Sequence, residues 1–377
     1  MKFKNARVYG KEFKFVRGGF EVKNGRFANV LSCSGDDAID LEGAYVIPGL
    51  VDIHNHGNSG YDFSDGNPAG LETMAAYLAQ NGVTSFTPAS MTLPEQVLEK
   101  AYRTAARFSR EMHRGLSVLR GIHMEGPFFS AAKKGAQNGA YLKNPDFDMF
   151  ERLNEAAEGL IKIADVAPEL PGALEYIEKV SKRCVVSVAH TDAGYEEAAA
   201  AIRAGAGHIT HLFNAMLPLL HRAPGVIGAA AEADSVSAEL ISDGVHVHES
   251  AVRAAYKLFG PERLCLISDA LSCCGMPGGK HMLGGQKIRL DGTIARLEDG
   301  TIAGSANNLF GIMRLAISFG IPREDAVRMA SFNPARVIGA DKEIGTVENG
   351  KSADFLVLDD AFNLKKVYIN GFLVERP

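Results

Sequence analysis

Three textures of apolar and polar positions follow one another along the chain. From residue 1 to about 47 they alternate in short runs, over 2–9, 13–16 and 19–22, separated by turn signals at Asn24-Gly25, Asp36-Asp37 and Glu42-Gly43. A period of two predicts half-buried strands, and Asn-Gly between such runs predicts a hairpin. From Val46 the pattern becomes continuous apolar runs that alternate with stretches of helical period. Strands are predicted over 46–53, 83–87, 118–124, 161–166, 185–189, 209–210, 238–241 and 264–268. Helices are predicted over 71–80, 94–112, 174–182, 195–204, 250–259, 308–319 and 323–330. Asn81-Gly82 closes the first helix and Pro94 opens the second. After about residue 340 the alternation returns, with strands over 355–358 and 366–369 followed by the turn Asn370-Gly371.

Close to eight strand–helix repeats predict an α/β chain folded as a (β/α)8 TIM-type barrel. The two β-textured ends are each too small to stand alone. They are expected to join as one discontinuous β-sandwich domain, residues 1–47 with 345–377, flanking a barrel over 48–344. Residues 128–148, rich in Gly, Asn and Lys, read as an insertion, and 287–303 as a hairpin-like excursion.

The chemistry sits where the apolar runs stop. The first ends in His54-Asn55-His56, and positions i and i+2 of a strand point to the same side. The later runs end at Glu125, His190, His211 and Asp269. In a parallel barrel the C-terminal strand ends face one pit. A single histidine or acid at a strand end is more often simply solvated; six in register are the makings of a centre for two divalent ions. With imidazole and carboxylate but no thiolate, the set suits Zn or Fe(II) and not Cu(I). Glu125 is placed to bridge two cations. Water on such a centre has its pKa drawn toward about 7, and Asp269 is the natural carrier of its proton. His113, His248 and His281 fall outside the pattern. His208 reads as the buried start of a short strand. His123 also falls outside the pattern as an ordinary polar residue, although its place two before Glu125 on the same strand face leaves open a role in supporting the ligands from behind.

Composition narrows the class. The 377 residues are 46% hydrophobic and 23% charged, the balance of an ordinary globular protein. A net charge of −5 gives no electrostatic reason to bind nucleic acid or an anionic membrane. The opening Met1-Lys2-Phe3-Lys4 runs straight into strands without an apolar signal core, and no apolar run is long enough to span a bilayer. Five irregularly spaced cysteines fit a reducing compartment better than a disulfide framework. A cytoplasmic location is expected, and the adjacent Cys273-Cys274 carry no chemistry.

The run Pro48-Gly49-Leu50-Val51-Asp52-Ile53-His54-Asn55-His56-Gly57, the closing Gly350-Lys351-Ser352-Ala353-Asp354-Phe355 and the ligand order resemble the amidohydrolase superfamily. Within it, His123-Met124-Glu125-Gly126-Pro127-Phe128, Thr210-His211-Leu212-Phe213-Asn214-Ala215-Met216, His221-Arg222-Ala223-Pro224-Gly225, Asp243-Gly244-Val245-His246 and Ser268-Asp269-Ala270 resemble the N-acetylglucosamine-6-phosphate deacetylase family, nearly end to end. The resemblance implies hydrolysis of the acetamide of N-acetyl-D-glucosamine 6-phosphate. It implies one ion on Glu125, His190 and His211, a second on His54 and His56, and Asp269 as acid/base at the metal. It implies substrate contacts at Ala136, Gln137, Asn214, Ala215, Asp243, His246, Ile302, Ala303 and Gly304. It also implies a homodimer in which Arg222 reaches the neighbouring site and binds the phosphate, as a guanidinium suits. Gln137 departs from members that carry a histidine near the acetyl carbonyl; an amide still donates a hydrogen bond but bears no charge. The galactosamine epimer, another amidohydrolase reaction, or a barrel that has lost its chemistry are the alternatives; the last would lack ligands, and all six are here.

Overall fold

The apolar runs form parallel strands. The structure, a computed structural model, describes residues 1–111, 113–283 and 285–376. Leu50–Asn55, Val83–Pro88, Ile161–Val166, Val185–Val188, Ala206–Ile209, Ser237–Leu240 and Leu264–Leu266 follow in sequence order. The predicted strand over 118–124 is broken at Arg120-Gly121 into Val118–Leu119, paired with Val83–Pro88, and Ile122–Met124, paired with Ile161–Val166. An Ala89–His123 bridge spans the gap. The sheet curls until its last strand returns to its first: the Asp269 amide donates to the His54 carbonyl at 2.9 Å, and Ser268 Oγ donates to Asp52 Oδ2 at 2.6 Å.

Helices cover the outside of the curl for the reason their pattern predicts. In Pro68–Gln80 the stripe Leu71, Met74, Ala75 and Leu78 is buried, and Asn67 caps the helix by accepting from the Ala69 and Gly70 amides. The predicted end of the second helix at Met112 lies outside the described residues; its described span is Glu95–Arg110. Three helices were not expected from the pattern: Phe147–Ala156, Gly225–Glu232 and Phe332–Val337. The excursion over 287–303 is part of a four-stranded antiparallel sheet, Gly279–Leu283, Gln286–Asp291, Ile294–Leu297 and Ile302–Ser305. Its last strand grips the backbone beside the site: the Ser305 amide donates to the Asp269 carbonyl and the Leu271 amide to the Ser305 carbonyl, both at 2.9 Å. No helix among the described residues is long and apolar enough to cross a membrane.

Strands from both chain ends share one sheet. Lys2–Tyr9 pairs with Phe15–Lys23 on one side and Tyr45–Pro48 on the other, and Phe355–Leu358 pairs with Tyr45–Pro48. Asn24 and Gly25 turn the predicted hairpin with φ of 51° and 73°, the left-handed pair of a type I′ turn. Phe3, Phe20, Phe27, Phe355 and Tyr368 form a core separate from that of the curled sheet. Gly49 is the joint between the two. A β-carbon there would lie 2.0 Å from Thr84 Oγ1, so the Thr84 side chain packs on this backbone only because position 49 has no side chain.

Asp354 stands at the same joint. Its carbonyl accepts from Gly49 at 2.8 Å and its Oδ1 from the Asn370 amide at 2.6 Å, while Oδ2 is buried without a hydrogen-bond partner, 4.0 Å from Arg120 Nη2. Burial pushes this carboxyl up to about 6. A folded-state pKa above the unfolded one means that the stabilisation is full below about pH 4 and is lost as pH rises through about 6. Asp354→Asn removes that titration. Urea unfolding across the window should therefore show the variant gaining on the parent by up to about 3 kcal/mol, with a constant difference above it. Parallel pH profiles would rule the account out.

Candidate metal centre

Six side chains converge at the C-terminal mouth of the curled sheet. His54 is the last residue but one of its strand and His56 lies one residue beyond the strand's end; Glu125, His190, His211 and Asp269 lie one to three residues beyond theirs. Glu125 is the hub. Its Oε1 is 3.2 Å from His190 Nε2, 3.3 Å from His211 Nε2 and 3.5 Å from His54 Nε2; its Oε2 is 3.3 Å from His56 Nε2. Asp269 Oδ1 is 3.6 Å from His54 Nε2 and 3.4 Å from His56 Nε2. Two triads, Glu125–His190–His211 and His54–His56–Asp269, have ligand atoms all within 4.8 Å of one another.

The donor set fits divalent cations. His190 Nδ1 donates to the Lys133 carbonyl at 2.9 Å and His54 Nδ1 to Glu239 Oε2 at 2.9 Å. Each proton placed on Nδ1 leaves Nε2 as a lone pair facing the pit. His54 Nε2 is buried without a hydrogen-bond partner, and His190 Nε2 and His211 Nε2 lie 3.1 Å apart on one carboxylate oxygen. Nitrogen atoms turned toward one another in this way call for a positive charge between them. The local field says the same. Burial opposes a charge on His56 and His211, but Glu125 and Asp269 outweigh it, lifting His56 well above the usual range and His211 to about 9. Burial likewise works against charge on Glu125 and Asp269, yet the histidines hold Glu125 well below the usual carboxylate range and Asp269 below its own.

His190, His211 and Asp269 have φ of 45°, 30° and 45°. This left-handed region is rare for side chains other than Gly, Asn and Asp.

The pit encloses about 280 Å³. Of the residues expected to touch substrate, Ala136, Gln137, Asn214, Ala215, His246, Ile302, Ala303 and Gly304 line it. Met91, Gly135 and Thr301 line it too and carry no signal in the sequence pattern. Asp243 stands behind His246: its Oδ2 accepts from His246 Nδ1 at 2.7 Å, and its Oδ1 accepts from the Val245 and His246 amides at 2.8 Å. Gln137 has both ends engaged. Its Nε2 donates to Glu125 Oε2 at 2.5 Å and its Oε1 accepts from the Thr92 amide at 2.7 Å, so it braces the hub. Gly304, with φ of 148°, allows its strand to pass close by; a β-carbon there would lie 2.8 Å from Leu271. Arg222 is exposed and outside the pit of its own chain, with Nη1 2.8 Å from His221 Nε2. No lysine or arginine is among the described residues lining the pit. A larger cavity of about 790 Å³ opens at the other end of the sheet, beside the strand starts at Val185 and Ser237.

His123 and His208 are both fully buried beneath the pit. His123 Nε2 lies 2.9 Å from Asp165 Oδ1 and its Nδ1 3.0 Å from the Ile53 carbonyl, which makes it a support and not a ligand.

Residues 45–374 match the amidohydrolase family. The chain belongs to the amidohydrolase family. This amidohydrolase is 34% identical over 358 residues to the N-acetylglucosamine-6-phosphate deacetylase of Vibrio furnissii, covering 93% of this chain and 89% of that protein. It is 32% identical over 332 residues to the N-acetylgalactosamine-6-phosphate deacetylase of Escherichia coli O157:H7, covering 88% of each. It superposes with a TM-score of 0.93, at 34% identity and over 99% of both chains, on a mutant N-acetyl-D-glucosamine-6-phosphate deacetylase of Mycobacterium smegmatis in complex with N-acetyl-D-glucosamine-6-phosphate. The candidate cluster thus lies in an amidohydrolase with full-length deacetylase relatives.

Proposed function

We propose that this amidohydrolase removes the acetyl group of N-acetyl-D-glucosamine 6-phosphate, giving D-glucosamine 6-phosphate and acetate. The observation that carries the reading is the convergence of four imidazole Nε2 atoms on Glu125 and Asp269 in one pit. Ligand pockets commonly enclose roughly 300–1,000 Å³; about 280 Å³ suits one monosaccharide better than a polymer.

Glu125, His190 and His211 would hold one divalent ion and His54 and His56 a second, with Asp269 at its edge; zinc and ferrous iron both match the ligands. When bound, such a cation supplies Lewis acidity and acidifies water. The chain's own residues do the rest. His246, fixed by Asp243, offers its free Nε2 to the sugar. Backbone at Ala136, Ala215 and Ala303 and the Asn214 amide shape the pocket around it. Asp269 takes a proton from the attacking water as the C–O bond forms and passes it to the sugar nitrogen as the C–N bond breaks. Acetate and the free amine leave, and Asp269 is again ionised.

Arg222 of a second copy supplies the phosphate's counter-charge in this reading, as the absence of lysine and arginine from the pit lining favours. The curled sheet is a closed (β/α)8 barrel over 48–344, and the terminal sheet a small β-sandwich over 1–47 and 345–377; their separate cores support the division.

Acetate release from N-acetyl-D-glucosamine 6-phosphate by metal-replete protein tests the function, with a chelated control, the unphosphorylated sugar and the galactosamine epimer alongside. Release should stop on chelation and fall by at least tenfold without the phosphate. Equal rates with and without chelator would refute the metal reading, and faster release from the galacto epimer would reassign the substrate.

A further inference from the structure

Below the pit lies a layer of polar side chains that the reaction does not use. His123, Asp165, His208 and Glu239 are all fully buried. Glu239, on Ser237–Leu240, is its centre, and that strand contributes none of the six candidate ligands. Glu239 Oε2 accepts from His54 Nδ1 at 2.9 Å and from the His211 amide at 3.1 Å. Its own carbonyl accepts from the Leu212 amide at 2.9 Å. One residue therefore holds a ligand side chain from the first strand and brackets the backbone of a ligand after the sixth.

Both contacts act on the cluster. An ionised carboxylate only accepts, so His54 keeps its proton on Nδ1 and turns a bare Nε2 toward Glu125 and Asp269. His211 sits at φ of 30°, a conformation that persists only where its surroundings hold it. The amide bonds at His211 and Leu212 supply that hold. His54, His123 and Glu239 are close enough to resemble a third cation site. Their nitrogens argue otherwise: His54 Nδ1 is a donor to Glu239, and His123 Nδ1 faces the Ile53 carbonyl at 3.0 Å. No nitrogen lone pair is left there for an ion.

We propose that Glu239 is the positioning residue of the metal centre, fixing the tautomer of His54 and the backbone of His211 while touching neither ion nor substrate. The proposal rests on the reading of the pit as a metal centre. Outer partners of metal-bound histidines typically contribute 10–100-fold in affinity.

The test compares Glu239→Gln and Glu239→Leu with the parent protein. Zinc affinity is measured by chelator competition, and the His54 tautomer by ¹⁵N NMR of the metal-free proteins at alkaline pH. Glu239→Gln keeps an acceptor but loses the charge; zinc should bind about tenfold more weakly, with the melting temperature of the metal-free protein little changed. Glu239→Leu should bind zinc 10–100-fold more weakly and let the His54 proton distribute over both nitrogens. A folded Glu239→Leu with parental affinity and tautomer overturns the proposal. If that variant does not fold, parental zinc affinity in Glu239→Gln overturns it instead. A parent protein that takes up no zinc sinks the metal reading alone, and the tautomer, which needs no metal, still decides the role of Glu239.

Discussion

Asp269→Asn should lower turnover of N-acetyl-D-glucosamine 6-phosphate by about 10³-fold, within the 10²–10⁴ that a positioned acid/base contributes, with KM changed little. The substitution isolates the proton. Asn has the shape of Asp and tolerates the left-handed backbone that position 269 requires (φ of 45°), so the strand end stays where it is. What disappears is a carboxylate that His54 and His56 hold ionised and that, in the proposed reaction, carries the proton from water to the leaving amine. Steady-state kinetics beside substrate calorimetry reads the effect. Turnover within tenfold of the parent would remove Asp269 from the reaction.

A larger loss is expected at the hub. Glu125→Gln takes the negative charge from among four imidazoles and puts an amide, with two N–H donors, where lone pairs converge. Bound metal should fall to a small fraction of the parental content. Activity should fall by at least about 10⁴-fold, since both the Lewis acid and the acidified water go with it. Atomic emission on the purified variant gives the metal content directly. A variant that retains full metal and measurable turnover would show that Glu125 only packs beside the ions.

The candidate ligands were legible because a curled parallel sheet turns a one-dimensional pattern into a place: a polar residue closing an apolar run is a residue at the mouth. His190, His211 and Asp269 could be placed on that ground alone. Glu239 and Asp165 could not, although their signal is visible in hindsight as single acids inside the buried strands Ser237–Leu240 and Ile161–Val166. Strand pattern treats such a residue as noise, whereas burial of a charge demands partners. The resemblance supplied Asp243 and Arg222, and nothing in their surroundings told that one stands behind His246 and the other outside the pit. The helix Phe147–Ala156 was hidden by the loop-like residues before it, although Asp146 caps it by accepting from the Met149 amide. Gly225–Glu232 is so evenly small and buried that it has little amphipathic period to read. Phe332–Val337 is short and contains a proline.

The backbone is left-handed at His190, His211 and Asp269. Such conformations cost on the order of 1–3 kcal/mol each, so part of the chain's backbone strain is held at the candidate ligands themselves. Glycine at any of the three would ease the chain and silence the enzyme. A search for sturdier variants that scored heat resistance alone would therefore be drawn toward inert ones, and robustness has to be sought elsewhere, as at the joint between the two sheets.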